Sequence, residues 1–452
     1  MVALDARALA STTQEALVAA AGTAVAELVE ERFGPVRGQR IAVLAGKGAN
    51  GADGRVAARL LSTAGAEVTL LEPTATTAEL ADADLIVDAA YGTGLARPYE
   101  APEAPPGATV VAVDLPSGVD GDTGAVAGRA LPATLTVTMA VEKLGLLVGD
   151  GRRLAGEVVV ADIGIPVGDT DCAHLGAEDL IDLPRRRSDA HKWSTSVALV
   201  AGSPGMEGAG ALASLGALRA GAGMVRLIHP TTATSPGVAW PLELVRRPVP
   251  MEALPATVHE ETERAGALVV GPGLGATPPA HQAVRQLLAE RRCPVVLDAD
   301  GLGAVDGLDG LAALVAAGSS AVVITPHDGE LRRLLGTTVP ADRVNCVRQV
   351  AERTGATVLL KGPTTIVASP RPGPGSVLLV TAGTEALATA GTGDVLSGVI
   401  ATLLAAGLQP ERAAGLAALV HGLGGARATG VLIASELPAL IGELIGEVHR
   451  GG

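Results

Sequence analysis

The sequence is almost devoid of aromatic side chains: one Phe, two Tyr and two Trp among 452 residues. Cores of this kind rest on Ala, Val, Leu and Ile. That is the material of parallel sheets covered by Ala-rich helices, not of an all-β sandwich. Cysteine is scarce too. Cys172, Cys293 and Cys346 are odd in number and far apart, which speaks against a disulfide framework or a zinc site and fits a reducing cytoplasm. Positive charge is thin: the net charge is −14, and the one basic block is the three arginines at 185–187. A nucleic-acid partner is therefore not expected. Anionic nucleotides stay open as ligands, because backbone amides at helix starts can hold them. Long apolar runs are missing as well. Mean hydropathy is +0.38, yet the uncharged stretches at 266–284 and 310–327 are broken by Gly, Pro, Ser or Thr before about 20 apolar residues accumulate. The start carries Asp5, Arg7 and Glu15 and lacks the basic-then-apolar pattern of a signal peptide. A soluble, cytoplasmic chain without a membrane partner is the expectation.

What is present is alternation. With 48% hydrophobic residues there is material for two full cores, and the length suits two or three domains. Aliphatic, β-branched runs at 41–45, 68–71, 85–87, 110–113, 134–138 and 158–161 are separated by helical stretches, which predicts a doubly wound α/β sheet. The segment 167–190 has no clear period and reads as a linker. The pattern then restarts at 197–201, 224–228, 268–270, 295–297, 322–324, 358–360, 365–367 and 377–380. Two domains follow, 1–170 and 171–452.

The first predicted strand runs into AGKGANGADG (45–54) and a helix expected over 55–64. Gly46, Gly48 and Gly51 match a dinucleotide fingerprint, with Glu72 where a ribose-binding acid would sit. A bare tight turn is an equal or better reading of so short a match. A third reading comes from the neighbours: Asn50, Asp53, Asp88 and Asp114 lie at or just beyond the C-terminal ends of predicted strands, where open parallel sheets bind ligands. Oxygen-bearing side chains gathered there suit a hard monovalent cation and a polar substrate.

In the second half the motifs come in order, each at a strand–helix junction: AGSPG (201–205), GPGLG (271–275), LDADG (297–301), TPHDGE (325–330), KGPTT (361–365) and AGTGDVLSG (390–398). Gly391, Thr392 and Gly393 leave amide N–H groups free at a helix start, an anion hole for a phosphoryl group. Asp394 is placed to take a proton from an attacking hydroxyl. No G-x-x-x-x-G-K-[ST] run is present, so the P-loop class is excluded. His327 follows a buried strand at the ligand edge and is expected to touch substrate. Lys361, Gly362, Pro363, Thr364 and Thr365 read as an adenylate-binding turn.

These motifs resemble those of the bifunctional NAD(P)H-hydrate repair enzymes. Residues 34–166, with the glycine loop, DAAYGTGL (88–95) and VDLPSG (113–118), look like the epimerase half. The stretch from 191 to the C-terminus looks like the ADP- or ATP-dependent dehydratase half. The resemblance implies a Rossmann-like doubly wound sheet fused to a ribokinase-like α/β domain. It further implies dehydration of the S form of the hydrate, NAD(P)HX, in the second half, and interconversion of R and S forms in the first. Carried over, K+ is held by Asn50, Asp88 and Ser117. The epimerase substrate is held by Asn50, Asp53, Gly92, Thr93, Gly94, Leu95, Ala96, Arg97 and Pro98, with Asp114 catalytic. The dehydratase implies substrate contacts from Ala209, Gly273 and His327, Asp394 as base, nucleotide contacts from residues 361–365 and Gly393, and Mg2+ with ADP or ATP. A homo-oligomer is also expected.

Departures occur at Ala49 and Ala52, where the family loop has Asn and Gly. At Ala52 a positive φ would add strain, so a slowed epimerase is expected. Asp328 replaces a Pro, and Thr384-Glu385-Ala386 replaces Asn-Pro-Gly. The rival readings are a vitamin or sugar kinase of the same fold, and an inactive binding module in the first half.

Overall fold

The computed structural model describes residues 12–95, 97–230 and 240–451. The chain divides into two compact units, one ending at Asp169 and the other beginning at Thr170.

In the first unit, helix α1 (Gln14–Phe33) precedes β1 (Arg40–Ala45), α2 (Ala49–Thr63), β2 (Glu67–Leu71), β3 (Leu85–Ala89), β4 (Thr109–Val113), β5 (Leu135–Met139) and β6 (Glu157–Ala161). The sheet order is β2-β1-β3-β4-β5-β6, parallel throughout. Strand β1 shows why the apolar runs are continuous and not alternating. Ile41, Val43 and Ala45 pack under α1 and α2 with Val25, Val29 and Leu61. Ala42 and Leu44 pack on the other face with Leu80, Ile86 and Val110. Both faces are covered, as in doubly wound sheets. From β1 the chain goes out to β2 and then returns across β1 to β3. The crevice above β1 and β3 is therefore a switch point, the ordinary ligand position of such sheets. Helices α1 and α2 approach closely at Gly22, where a Cβ would come within 2.4 Å of the Val56 Cβ.

In the second unit the strands are β7 (Cys172–His174), β8 (Ser196–Val200), β9 (Met224–Pro230), β10 (Val245–Val249), β11 (Ala267–Val270), β12 (Val295–Leu297), β13 (Val322–Ile324), β14 (Thr357–Leu360), β15 (Thr365–Ala368) and β16 (Val377–Val380). They form one sheet in the order β10-β9-β8-β11-β12-β13-β14-β15-β16-β7, antiparallel only where β15 pairs with β14 and β16. The reversal between β9 and β11 about β8 makes a second switch point. Helices α3 (Glu207–Arg219), α4 (Asp328–Leu335), α5 (Thr392–Ala405) and α6 (Pro410–Ala426) matter most to the site. Helix α5 is buried along nearly its whole length and crosses α3 backbone to backbone. A Cβ on Gly216 would lie 2.3 Å from the Val395 carbonyl oxygen, and one on Gly398 would lie 2.0 Å from that of Ala213.

In the second unit two strands escaped the sequence pattern. The segment expected to be a linker contains β7, which pairs in parallel with β16 (Cys172 opposite Val377), and a 3-10 turn (Ala177–Asp182). Its Leu175, Leu180 and Leu183 are buried in the second unit's core. Strand β10 carries Arg246, Arg247 and Pro248 at the sheet edge, where no apolar run is needed because neither face is fully covered. Among the described residues no helix is long and apolar enough to cross a membrane.

Candidate active sites

In the first unit, β1 ends at Ala45 and α2 begins at Ala49, six residues earlier than the expected helix start at 55. The intervening turn is glycine because backbone occupies the space. A Cβ on Gly46 would come 1.9 Å from the Ala90 carbonyl oxygen, and one on Gly51 would come 1.8 Å from that of Gly46. Gly48, by contrast, faces open space. This wedge sets Asn50 and Asp53, three apart on one face of α2, against the end of β3.

A cavity of about 750 Å3 lies over this edge, lined by Asn50, Asp53, Asp114 and, from the loop after β3, Gly92, Thr93, Gly94, Leu95 and Arg97. Pro98 is not part of its wall, and Ala96 lies outside the described residues. Gly92 stands between two of these groups: a Cβ there would be 3.4 Å from both the Asn50 Cγ and the Asp114 Oδ2. Behind the wall, Asp88 is fully buried. Its carboxylate accepts from the Ser117 amide at 2.8 Å and the Ala90 amide at 3.4 Å. Burial raises its pKa, against the hydrogen bonds from Ser117 and Ala90. The Ser117 hydroxyl accepts from the Tyr91 amide at 2.8 Å and donates to the Tyr91 carbonyl at 3.0 Å. Asn50 is buried, and neither its Oδ1 nor its Nδ2 has a partner.

The two carboxyl groups in the cavity differ. Burial, followed by repulsion from Asp114, raises Asp53 to about 7. Asp114 instead pairs with the buried ammonium of Lys143 at 2.5 Å, and Lys143 also donates to Thr138 Oγ1 at 3.0 Å and the Met139 carbonyl at 2.8 Å. Asp114 holds a left-handed backbone, φ +69°, a conformation uncommon outside glycine and concentrated at functional sites. Lys143 was not singled out in the sequence, because a lone lysine in a polar stretch between strand and helix carries no signal.

One expectation fails here. Ala52 is helical, donating its amide to the Gly48 carbonyl at 3.1 Å, and is not among the positive-φ residues. The strain proposed for it does not exist. Ala49 does line the cavity, so a longer side chain there would reach into it.

In the second unit, Gly391 (φ +95°) is the N-cap of α5. A Cβ at this position would strike Leu212 Cδ1 at 2.5 Å, so both conformation and space call for glycine. Thr392 anchors the turn before it by donating to the Leu387 and Thr389 carbonyls at 2.9 and 3.0 Å. The Thr384-Glu385-Ala386 segment forms a 3-10 turn capped by Thr384. His421 on α6, buried and lowered to about 4 chiefly by that burial, is neutral and donates from Nε2 to the Thr392 carbonyl at 2.9 Å. Asp394, in the first turn of α5, is raised to about 7 by burial and by Asp298 and Asp300, with Lys361 opposing.

Lys361 is not the solvated end of β14. Its ammonium donates to Asp298 Oδ1 at 2.8 Å, lies 3.9 Å from Glu330 Oε2, and would be 3.5 Å from a Cβ on Gly393. Burial pulls its pKa down, but Asp298, Glu330 and Asp394 outweigh this and raise it. Gly362 follows it, with Arg343 Nη2 3.8 Å from where a Cβ would be. Asp328, where the family has Pro, forms a two-pronged pair with that same Arg343. Thr364 is buried and Thr365 opens β15. His327 is the N-cap of α4: its Nδ1 accepts from the Gly329 and Glu330 amides at 2.9 and 3.3 Å. Its proton therefore sits on Nε2, and the side chain is 60% exposed. Ala209 and Gly273 meet across the β8 and β11 loops, the Ala209 Cβ being 2.9 Å from where a Gly273 Cβ would be. Gly271 (φ +127°) packs on the Asp298 carbonyl, and the Gly275 amide donates to Asp300 Oδ2 at 2.8 Å. Between those two acids, Ala299 takes φ +50°. The sequence flagged LDADG as a motif without giving Asp298 or Ser397 a role.

Two family models match. One, described as NAD(P)H-hydrate dehydratase, covers residues 197–445. The other, described as YjeF-related protein N-terminus, covers 14–82 and 70–145. Among curated relatives, the bifunctional NAD(P)H-hydrate repair enzyme Nnr of Moorella thermoacetica is 36% identical over 90% of this chain and 86% of its own length. That of Salinibacter ruber is 38% identical over 91% and 87%. Among solved structures, a ribokinase-like superfamily protein from Enterococcus faecalis V583 superposes with a TM-score of 0.52 at 24% identity, covering 63% of this chain and 98% of that one, a likeness of fold. The order of the two matched domains, the glycine-held switch points and the relatives' near-full coverage agree: this chain belongs to the family of bifunctional NAD(P)H-hydrate repair enzymes.

Proposed function

We propose that the second unit dehydrates the S form of NAD(P)HX at the expense of ADP or ATP, and that the first unit interconverts the R and S forms. The observation that carries the first assignment is the meeting of Asp394, the Gly391–Gly393 amides and the Lys361 ammonium at the start of one helix. An anion hole with a cation beside it holds a transferring phosphoryl group, and a carboxyl that gives up its proton near neutrality suits a general base. Asp394 takes the proton from the C6 hydroxyl of the hydrate as the terminal phosphoryl group of the nucleotide passes to that oxygen. Departure of phosphate, with loss of a proton from the neighbouring ring carbon, restores the dihydronicotinamide. Lys361 neutralises charge on the phosphoryl oxygens. Residues 362–365 line the approach of the nucleotide, and Ala209, Gly273 and His327 face the substrate.

The described residues contain no cluster of three or more His, Cys, Asp or Glu suited to a metal. This fits Mg2+ arriving with the nucleotide phosphates, since that ion favours phosphate and water oxygens over all-protein cages. When bound it supplies charge neutralisation. In the first unit Asn50, Asp88 and Ser117 would hold K+. The partnerless Asn50 amide and a fully buried carboxylate that, among the described residues, no basic side chain pairs with suit a hard monovalent cation held by oxygens. Bound K+ would supply a fixed positive charge behind the cavity wall. Asp114, held in place by Lys143, is the proposed acid–base group of the epimerase.

The test is the whole protein with enzymatically hydrated NADH and either ADP or ATP. Recovery of absorbance at 340 nm with release of inorganic phosphate is expected. Accumulation of a stable phosphate ester would instead identify a kinase of the same fold.

A further inference from the structure

Asp298 directly follows β12, its side chain 2% exposed, and each of its oxygens has a separate task. Oδ1 accepts from Lys361 Nζ at 2.8 Å. Oδ2 accepts from the Ser397 hydroxyl at 2.7 Å, and that hydroxyl also lies 3.2 Å from the Gly393 carbonyl. Its own carbonyl packs on Gly271. One buried carboxylate thus ties the end of β14, the first turns of α5 and the β11 loop together. Burying a charge in this way is costly unless every lone pair is used, and here a cation and a hydroxyl use both oxygens. It does not face the open side of the site, so it is unsuited to contact substrate itself.

We infer that Asp298 is a positioning residue: it holds the Lys361 ammonium and the anion-hole turn in one array and sets the charge environment of Asp394. The inference rests on the proposed phosphoryl transfer for its meaning, though not for its test. Three neighbours act on Asp394. Asp298 and Asp300 favour its protonated form, and Lys361 favours the carboxylate. Glu330, on α4, pulls on the same ammonium from the other side, and His421, on α6, is neutral. Removing Asp298's charge takes away one repulsive neighbour of Asp394 and frees Lys361's field to act on it. Both effects make Asp394 a weaker base.

The experiment compares the full chain with Asp298→Asn, Ser397→Ala and Lys361→Met. For Asp298→Asn the pH at which kcat/KM begins to rise moves to the acid side by about one pH unit or more, the usual effect of a close charge. The nucleotide KM rises because Lys361 is no longer held. Ser397→Ala removes the tether and not the charge, so kcat falls while the limb stays in place. Lys361→Met leaves Asp298 unopposed and moves the limb to the alkaline side. The same displacements are read without turnover, from the pH at which the melting-temperature difference between each background and its Asp394→Asn partner levels off, since that pH follows the folded-state pKa while the onset near pH 4 belongs to the unfolded chain. A chain that does not dehydrate the hydrate refutes the functional reading, and the melting data still decide this one. If Asp298→Asn does not fold, Asp298→Ser, which also removes the charge, takes its place, and Lys361→Met serves only as the control that shows the limb can move. A limb and a melting plateau that stay in place when the charge of Asp298 is removed reduce it to a structural residue and overturn the inference.

Discussion

Asp394→Asn separates the chemistry of this site from its architecture. The amide keeps the size and shape of the carboxyl at the start of α5 and cannot accept the substrate's proton. Turnover is expected to fall by about 10²–10⁴-fold, the range for a lost general base, while the thermal shift on adding ADP or ATP persists. Stability should move the other way. Folding raises this carboxyl from an ordinary value near 3.8 to about 7, so between those pH values the unfolded chain has released a proton that the folded chain still holds. Stability is therefore lost as pH rises from about 4 to 7 and then stays level. At about 1.4 kcal/mol per pH unit the penalty reaches at most about 4 kcal/mol above pH 7. The Asn variant has no such penalty. Its melting temperature should match that of the parent near pH 4, exceed it increasingly up to pH 7, and keep a constant lead above that. Dehydration by the parent chain, followed at 340 nm, should rise with pH through about 7 as Asp394 becomes the free base. A melting difference that does not change with pH, or a variant within a few-fold of parent activity, would refute both the buried-carboxylate argument and the base assignment.

Other substitutions test neighbouring links. Lys361→Ala should raise the nucleotide KM more than it lowers kcat, and should cost about 3–5 kcal/mol in denaturant unfolding by leaving Asp298 buried without its cation; an unchanged KM would move the phosphate site elsewhere. Ala49→Asn adds an amide to the cavity wall worth about 0.5–1.5 kcal/mol, so R-to-S conversion followed by chromatography should quicken by up to about tenfold. Ala52→Gly should bring no such gain and cost about 1 kcal/mol of helix stability; a faster epimerase from that change alone would contradict the helical backbone found at 52. Gly398→Ala forces a methyl to within 2.0 Å of the Ala213 carbonyl oxygen and should lower stability by about 1–3 kcal/mol or more by separating α3 from α5, read as a fall in melting temperature with nucleotide affinity reduced alongside.

The central strands of both sheets were legible because each is buried on two faces and so must be a continuous aliphatic run, whatever its neighbours are. The glycine loops were legible for a related reason: Gly46, Gly51, Gly271 and Gly391 stand where backbone or a neighbouring side chain leaves no room for a Cβ. The approach of Asn50, Asp53 and Asp114 to one edge followed from the parallel topology alone, and the position of Asp394 at a helix start followed from the glycines before an apolar run. What depended on the tertiary structure was pairing across long sequence distances. Strand β7 exists because β16, some two hundred residues away, offers it a ladder; its three residues carry no pattern of their own. Ala52 was misjudged because a helix start at 49 or at 55 is equally consistent with so glycine-rich a run. Likewise, the sequence marks Lys361 for a nucleotide-binding turn but gives no sign of Asp298, 63 residues upstream, whose charge matches it. Lys143, Asp298 and Ser397 carry no periodic or motif signal of role. A buried charge is defined by the partner that offsets its desolvation, and partners of that kind are brought together only when the sheet closes.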